Sequence, residues 1–315
     1  MNSDFKVYIA DGKEFFVFKK GDRPTKTVKP FSYSLLDLLY LDIDGYEQIL
    51  REMASAIPKL YTTKDDTLAQ KVTDQLHSLA KSHVFFEYLY NDWSTSLAEV
   101  RTQNYSTVVE LLSYKKKFQQ MPSILGELRA KLLTLMEQVL DIGCGNQPLQ
   151  ERLHRYMVQK DTEAAIFTFA PQTTYFEAVE KKTFTEVLYP DTLEEIVNFF
   201  VRSLLQNEIR FRKCKNCGKY FPLTGYSNAE YCERTFGDSS KTCKEAGALN
   251  VWQKKAKNPA YEAYSREYKK RFARIKYGKL SKEEFSQWAE VARVQRERCV
   301  NGELELQEYA QWLNG

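Results

Sequence analysis

The amino-acid sequence predicts a mainly α protein with minor β: an N-terminal β-hairpin, a helical region, a short middle sheet, a cysteine-knuckle module and C-terminal helices. Three observations carry this expectation. Two β-rich runs flank an Asp-Gly pair near the start, and apolar residues then recur at three- and four-residue steps over most of the chain. Four cysteines also lie within thirty residues of one another in a strongly basic stretch. A chain of 315 residues is long enough for about two domains. The pattern divides it at 1–160, 161–207, 208–250 and 251–315.

Residues 5–20 read as a hairpin, with FKVYIA and EFFVFKK joined around Asp11-Gly12, a strong turn signal. From Ser34 to about Gln159 the periodicity is helical. Leu68, Val72, Leu76, Leu79, Val84 and Leu89 mark one apolar series, and Leu125, Leu128, Leu132 and Leu135 another. Asp65 and Asp66 suit a helix start, where negative charge is favoured. Residues 163–189 change character: AAIFTFA, TTYFEAVE and TFTEVLY read as short strands. Thr192-x-x-Glu195 is a capping box that opens the helix LEEIVNFFVRSLL. Past the cysteines, Asn258-Pro259 forms an N-cap and N1 pair for a helix carrying Tyr261, Tyr264, Tyr268, Phe272 and Ile275 and ending at Tyr277-Gly278. Ser281-x-x-Glu284 opens a last long helix bearing Phe285, Trp288, Val291 and Val294. Asn301-Gly302 breaks it before a final turn ending at Trp312.

The N-terminus lacks the basic start, apolar core and small-residue site of a secretory signal, and the apolar window from Phe199 to Leu205 is short and interrupted by Arg202. A cytoplasmic protein without a membrane span is expected. In a reducing compartment, clustered cysteines argue for metal rather than disulfides. The spacing is Cys214-x2-Cys217, fourteen residues, Cys232, ten residues, Cys243. Two residues between thiolates let both sulfurs reach one ion, and Gly218 permits the turn that follows. Lys213, Lys215 and Lys219 ease thiol deprotonation. Four sulfurs would close a tetrahedral zinc shell, making a structural, knuckle-type zinc module. The alternative is four ordinary cysteines. The ten-residue gap is wider than in a two-knuckle site, so the last ligand could also come from the helix start after Cys243. His77, His83 and His154 read as ordinary residues, and Cys144 and Cys299 as unpaired thiols.

RFRKCKNCGKYF, with EYCER and KTCKEAGA, resembles the C-terminal four-cysteine finger of a group of uncharacterised bacterial proteins, mostly Gram-positive. It is more distantly similar to the CGNR-type fingers of bacterial transcription regulators. The resemblance covers about residues 165–280 and is best over 209–250. It implies Cys214, Cys217, Cys232 and Cys243 as zinc ligands. Cys243-Lys-Glu-Ala stands where the CGNR tetrapeptide would be.

The total charge of +4 hides an asymmetry. Residues 210–279 hold 18 Lys/Arg against 6 Asp/Glu, a net of +12 that leaves −8 for the rest. Lys254, Lys255, Lys257, Lys269, Lys270, Arg271, Arg274 and Lys276 are the candidate phosphate contacts of a DNA- or RNA-binding surface. A face for an acidic protein partner, with zinc purely structural, is the alternative. Tyr261, Tyr264, Tyr268 and Phe272 have the spacing of a core stripe rather than of base-stacking side chains. Val139-Leu-Asp-Ile-Gly-Cys-Gly-Asn146 resembles the first motif of S-adenosylmethionine-dependent methyltransferases through Asp141, Gly143 and Gly145. The preceding segment reads as helix, and only 68 residues separate Gly145 from Cys214, too few for the rest of a doubly wound sheet. A glycine-containing break between two helices is the expectation there. The sequence thus points to a non-enzymatic, zinc-holding, nucleic-acid-binding or regulatory protein.

Overall fold

The computed structural model describes residues 5–20, 23–145, 147–158, 166–180, 183–223, 228–236, 240–247 and 258–314. It divides into two compact units, Met1–Arg212 with Tyr220–Asn228, and Lys213–Lys219 with Ala229–Gly315. Among the described residues, no helix is long and apolar enough to cross a membrane.

The first unit is built on a five-stranded antiparallel sheet of order β3-β2-β1-β5-β4. Strands β1 (Phe5–Ala10) and β2 (Lys13–Lys20) pair from Phe5↔Phe18 to Ala10↔Lys13. Asp11 and Gly12 both have positive φ, 49° and 68°, as a two-residue type I′ turn requires. Strand β3 (Arg23–Pro30) extends the hairpin. Strands β4 (Thr174–Glu180) and β5 (Thr183–Leu188) dock on its other side through Val7↔Leu188 and Tyr8↔Val187. The N-terminal hairpin and the middle strands are therefore one sheet.

Alternation along the strands sends Phe5, Val7, Phe16, Phe18 and Leu188 into the main core and Tyr8, Ala10, Phe15 and Val187 to the opposite face. Helices α1 (Tyr33–Leu39), α2 (Ile43–Thr63), α3 (Asp66–Ala80), α4 (Val84–Thr102), α5 (Ser113–Leu135), α6 (Leu149–Val158) and α7 (Leu193–Gln206) complete the unit. Leu125, Leu128, Leu132 and Leu135 of α5 are buried as expected, and the Leu68–Leu89 series is split between α3 and α4 at His83. His83 caps α4, its Nδ1 accepting from Phe85 N at 3.1 Å. Thr192 caps α7 through Glu195 N, while the Glu195 carboxylate accepts from Asp191 N. AAIFTFA does not form the expected strand over its described residues, 166–170. Phe167 is buried and its N–H donates to Tyr156 Oη at 2.9 Å, so a side chain supplies the partner that a strand neighbour would.

In the second unit, residues 243–247 form a helical turn, α8. Helices α9 (Pro259–Lys276), α10 (Lys282–Val300) and α11 (Leu306–Asn314) follow. Asn258 caps α9, with Pro259 in its first turn, and Gly278 at φ 64° turns the chain at its end. The three helices pack around Ala260, Tyr264, Ala292, Tyr309 and Leu313. On α10 the buried face is Phe285, Ala289 and Ala292, whereas Val291 and Val294 are exposed. Successive three-residue steps fall about 60° short of a full turn each, so a series spaced only by three walks off the buried face.

Ser281 and Glu284 form a complete capping box: Glu284 N donates to Ser281 Oγ at 3.1 Å and Ser281 N to Glu284 Oε2 at 3.0 Å. Ser281→Ala is expected to destabilise α10 by about 1 kcal/mol. Amide exchange in the first turn of α10 checks this, and unchanged protection there would refute it.

Candidate metal centre

A two-stranded ribbon, β6 (Phe211–Lys213) and β7 (Tyr220–Pro222), leads into and out of the cysteine knuckle. At its tip Cys214 N donates to Lys219 O at 2.9 Å and Gly218 N to Cys214 O at 2.8 Å. Gly218 sits at φ 71°, a conformation a side chain would strain, and this turns Cys214 and Cys217 toward one point. Lys215 N donates to Glu230 O at 3.0 Å, and Lys215 Nζ pairs with Glu230 Oε1 at 2.6 Å. These bonds lay residues 230–232 beside the knuckle, where Cys232 N donates to Cys214 Sγ at 3.3 Å.

Of the residues between Cys232 and Cys243, 234–236 lie against 241–242. Thr235 and Thr242 form an antiparallel bridge, and Cys243 N donates to Arg234 O at 2.8 Å. Thr242 and Glu245 then make a second capping box, Thr242 N on Glu245 Oε2 at 2.7 Å and Glu245 N on Thr242 Oγ1 at 3.3 Å. Cys243 is thus the first residue of α8. The wide spacing is a hairpin return that delivers the last cysteine at a helix start.

The four ligand atoms lie within 4.8 Å of one another, and Cys217 and Cys232 Sγ are 3.7 Å apart. That separation is far beyond the roughly 2.05 Å of a disulfide. It matches the roughly 3.8 Å edge of a tetrahedron with 2.3 Å metal–sulfur bonds. Cys214, Cys232 and Cys243 are buried and Cys217 is half-buried. Burial pushes the Cys214 thiol up, but the N–H groups of Cys232, Cys217 and Asn216 outweigh this and leave it down at about 7. Burial, with the neighbouring thiols, pushes Cys232 up to about 12, and burial also raises Cys243. Crowded sulfurs disfavour gathering negative charge, and a divalent ion would offset that repulsion. The cluster is a group of four cysteine sulfurs that could hold one metal ion. His77, His83 and His154 all belong to the other unit.

The basic residues separate by role. Lys269, Lys270, Arg274 and Lys276 are exposed on α9. Arg271 instead turns inward, donating to Leu313 O at 3.1 Å, lying 3.5 Å from Glu267 and stacking over the Trp288 ring at 4.7 Å. Lys254, Lys255 and Lys257 lie outside the described residues. Arg266, not among the sequence-predicted contacts, is exposed on the same face of α9, one turn before Lys269 and Lys270. Its three- and four-residue spacing to those lysines is the signal that could have identified it.

Of the aromatic series, Tyr264 is buried, Tyr261 and Tyr268 are half-buried, and Phe272 is exposed. The Asp141–Gly145 loop follows α5 and a π-helical turn, Met136–Leu140, not a strand. Asp141 Oδ1 accepts from Gly143 N at 2.8 Å and so closes the turn on itself. It is a break between helices, with no strand leading into it as a nucleotide cradle needs. Cys144 and Cys299 are free thiols.

No curated protein and no solved structure matches this chain. Residues 165–314, which hold all four cysteines and α9–α11, match a family of unknown function, DUF6076, and over that stretch the chain is similar to an uncharacterised family.

Proposed function

We propose that the second unit is a zinc-held module that binds nucleic acid through α9. Zinc fits the donor set: four cysteine sulfurs within 4.8 Å of one another are a soft set that could close around one ion and leave no position for water, which gives a structural rather than catalytic ion. The zinc would fix the knuckle, the 234–243 return and the start of α8 to one another.

The observation that carries the binding reading is the segregation of charge on α9. Arg266, Lys269, Lys270 and Arg274 recur at three- and four-residue steps on its exposed side. Glu267, the acidic residue among them, is buried and engaged by Lys270 at 3.3 Å and Arg271 at 3.5 Å. Among the described residues no carboxylate pairs with Arg266, Lys269, Arg274 or Lys276. A row of exposed cations on one helix, all but Lys270 without a carboxylate partner among the described residues, suits a polyanion, whose condensed counterions are released on binding.

Titration of the full-length zinc form with nucleic acid over a salt series tests this. Affinity is expected to fall steeply with salt, and the combined change Lys269→Ala, Lys270→Ala, Arg274→Ala to lower the log–log salt slope by roughly 2–3. Absence of binding at low salt would assign the face to an acidic protein surface instead.

A further inference from the structure

We infer that the ligand of this face is single-stranded nucleic acid, with Phe272 and Tyr277 stacking on bases between phosphate-binding cations. The inference rests on the nucleic-acid reading and goes further by naming the form of the strand.

Two large rings on the basic side of the second unit face solvent. Phe272 is 57% exposed and Tyr277 is 73% exposed. Phe272 is nevertheless held. Tyr268 lies parallel to it at 6.3 Å and 5°, and Phe285 meets it edge-on at 5.8 Å and 61°. Those two rings belong to the aromatic cluster of the unit: Phe285 also packs on Tyr268 and Trp288, and Tyr264 stacks on Trp288 at 4°. Phe272 therefore presents a braced ring to water, at small further cost in rotamer freedom when a flat ligand covers it. Tyr277 is the C-cap of α9, and Gly278 at φ 64° turns the chain immediately behind it.

Cations flank each ring in sequence. Lys269 is three residues before Phe272 and Lys276 four after, while Arg274 is three before Tyr277 and Lys279 two after. Lys269, Arg274 and Lys276 make no ion pair with the described residues. On α9, Lys269, Phe272 and Lys276 share one face, a cation–aromatic–cation order that matches a strand whose phosphates alternate with splayed bases. A duplex would leave the rings idle. Its bases are stacked internally and show only their edges in the grooves, where donors and acceptors do the reading. On a single strand every base offers a π-face, so stacking adds to affinity without sequence preference.

The experiment is fluorescence-anisotropy titration of the full-length zinc form with labelled oligo(dT) and with a mixed-sequence duplex of equal length. Oligo(dT) is expected to bind the more tightly. Phe272→Ala with Tyr277→Ala should weaken oligo(dT) binding by roughly tenfold or more per ring while changing duplex binding little. Phe272→Leu, which keeps apolar packing against Phe285 but lacks a π-face, should reproduce the loss due to Phe272, and Phe272→Trp should restore affinity. Metal content and the melting curve of each variant report whether the unit remains folded. Unchanged oligo(dT) affinity in the folded double variant, or tighter binding of the duplex by the wild type, overturns this inference and leaves the binding reading standing. No binding of either probe overturns both.

Discussion

Removal of the metal is expected to unfold residues 214–219, 229–236 and 240–247 while the first unit, with Tyr220 in its core, stays intact. The described core of the second unit is small, Ala260, Tyr264, Ala292, Tyr309 and Leu313 with a few half-buried neighbours, and all of it lies in α9–α11. The knuckle, the 230–232 segment and the 234–243 return contribute no residue to that cluster. What joins them is a handful of backbone hydrogen bonds and four sulfurs converging on one point. Small folds of this kind draw their stability from the ion: binding free energies of about 10–16 kcal/mol at neutral pH are folding free energies when no site exists in the unfolded chain.

Purified protein should carry about one zinc per chain, and a strong chelator or Cys214→Ser should abolish it. Peptide-resolved hydrogen exchange should then show near-complete loss of protection over 214–219, 229–236 and 240–247, with little change over Phe5–Phe18. Full zinc occupancy in a chain lacking both Cys232 and Cys243, or intact protection of those segments after chelation, would sink the assignment.

The convergence of the four cysteines was legible in the sequence because cysteines carry their chemistry with them: four thiols at short spacing are the pattern of a shared site. Helix ends were legible for a similar reason. Asn258-Pro259 and Ser281-x-x-Glu284 act through bonds two or three residues long, so their effect is written locally. Strand β3 was not legible. Arg23–Pro30 reads RPTKTVKP, with a single apolar side chain besides its two prolines, because an edge strand with its side chains largely in water needs no hydrophobic alternation. Its lysines and prolines are also residues that protect an edge. The docking of β5 on β1 joins residues about 180 apart, and no local pattern encodes that pairing. At the candidate site, Arg271 could not be told from Lys270 by composition. Only the packing of α9 against Trp288 and Leu313 turns Arg271 inward while Lys270, paired with Glu267, stays exposed.

Two buried titratable groups in the first unit should give its stability opposing pH slopes. Glu14 is fully buried; its carboxylate accepts from Ser32 N at 2.8 Å and Ser34 N at 3.0 Å, tying β2 to the start of α1. Burial pushes its pKa up to about 7, against the hydrogen bonds from Ser34 and Ser32 and the charge of Lys29. His83 touches the same segment from the other side, its Nε2 lying 3.1 Å from Ser34 O. Burial pushes it down to about 4, reinforced by Lys29 and opposed by the Ser34 bond and Asp37. Between pH 4.5 and 7 the folded state holds a proton on Glu14 that the unfolded chain has released, so this group's stabilisation is lost as pH rises. Between pH 4 and 6.5 the unfolded chain protonates His83 and the folded state does not, so stability from this group is lost as pH falls. Each shift of about 2.5 units corresponds to about 3 kcal/mol, and the two nearly cancel over their common window. Glu14→Gln should unmask the histidine, making stability rise by about 3 kcal/mol between pH 4 and 6.5 relative to a flatter wild type. His83→Asn, which keeps a helix-capping side chain, should unmask the glutamate and make stability fall by a similar amount between pH 4.5 and 7. Urea unfolding read from amide exchange over Phe5–Phe18 isolates this unit. Parallel pH profiles in the wild type and both variants would show that neither group is held in its neutral form.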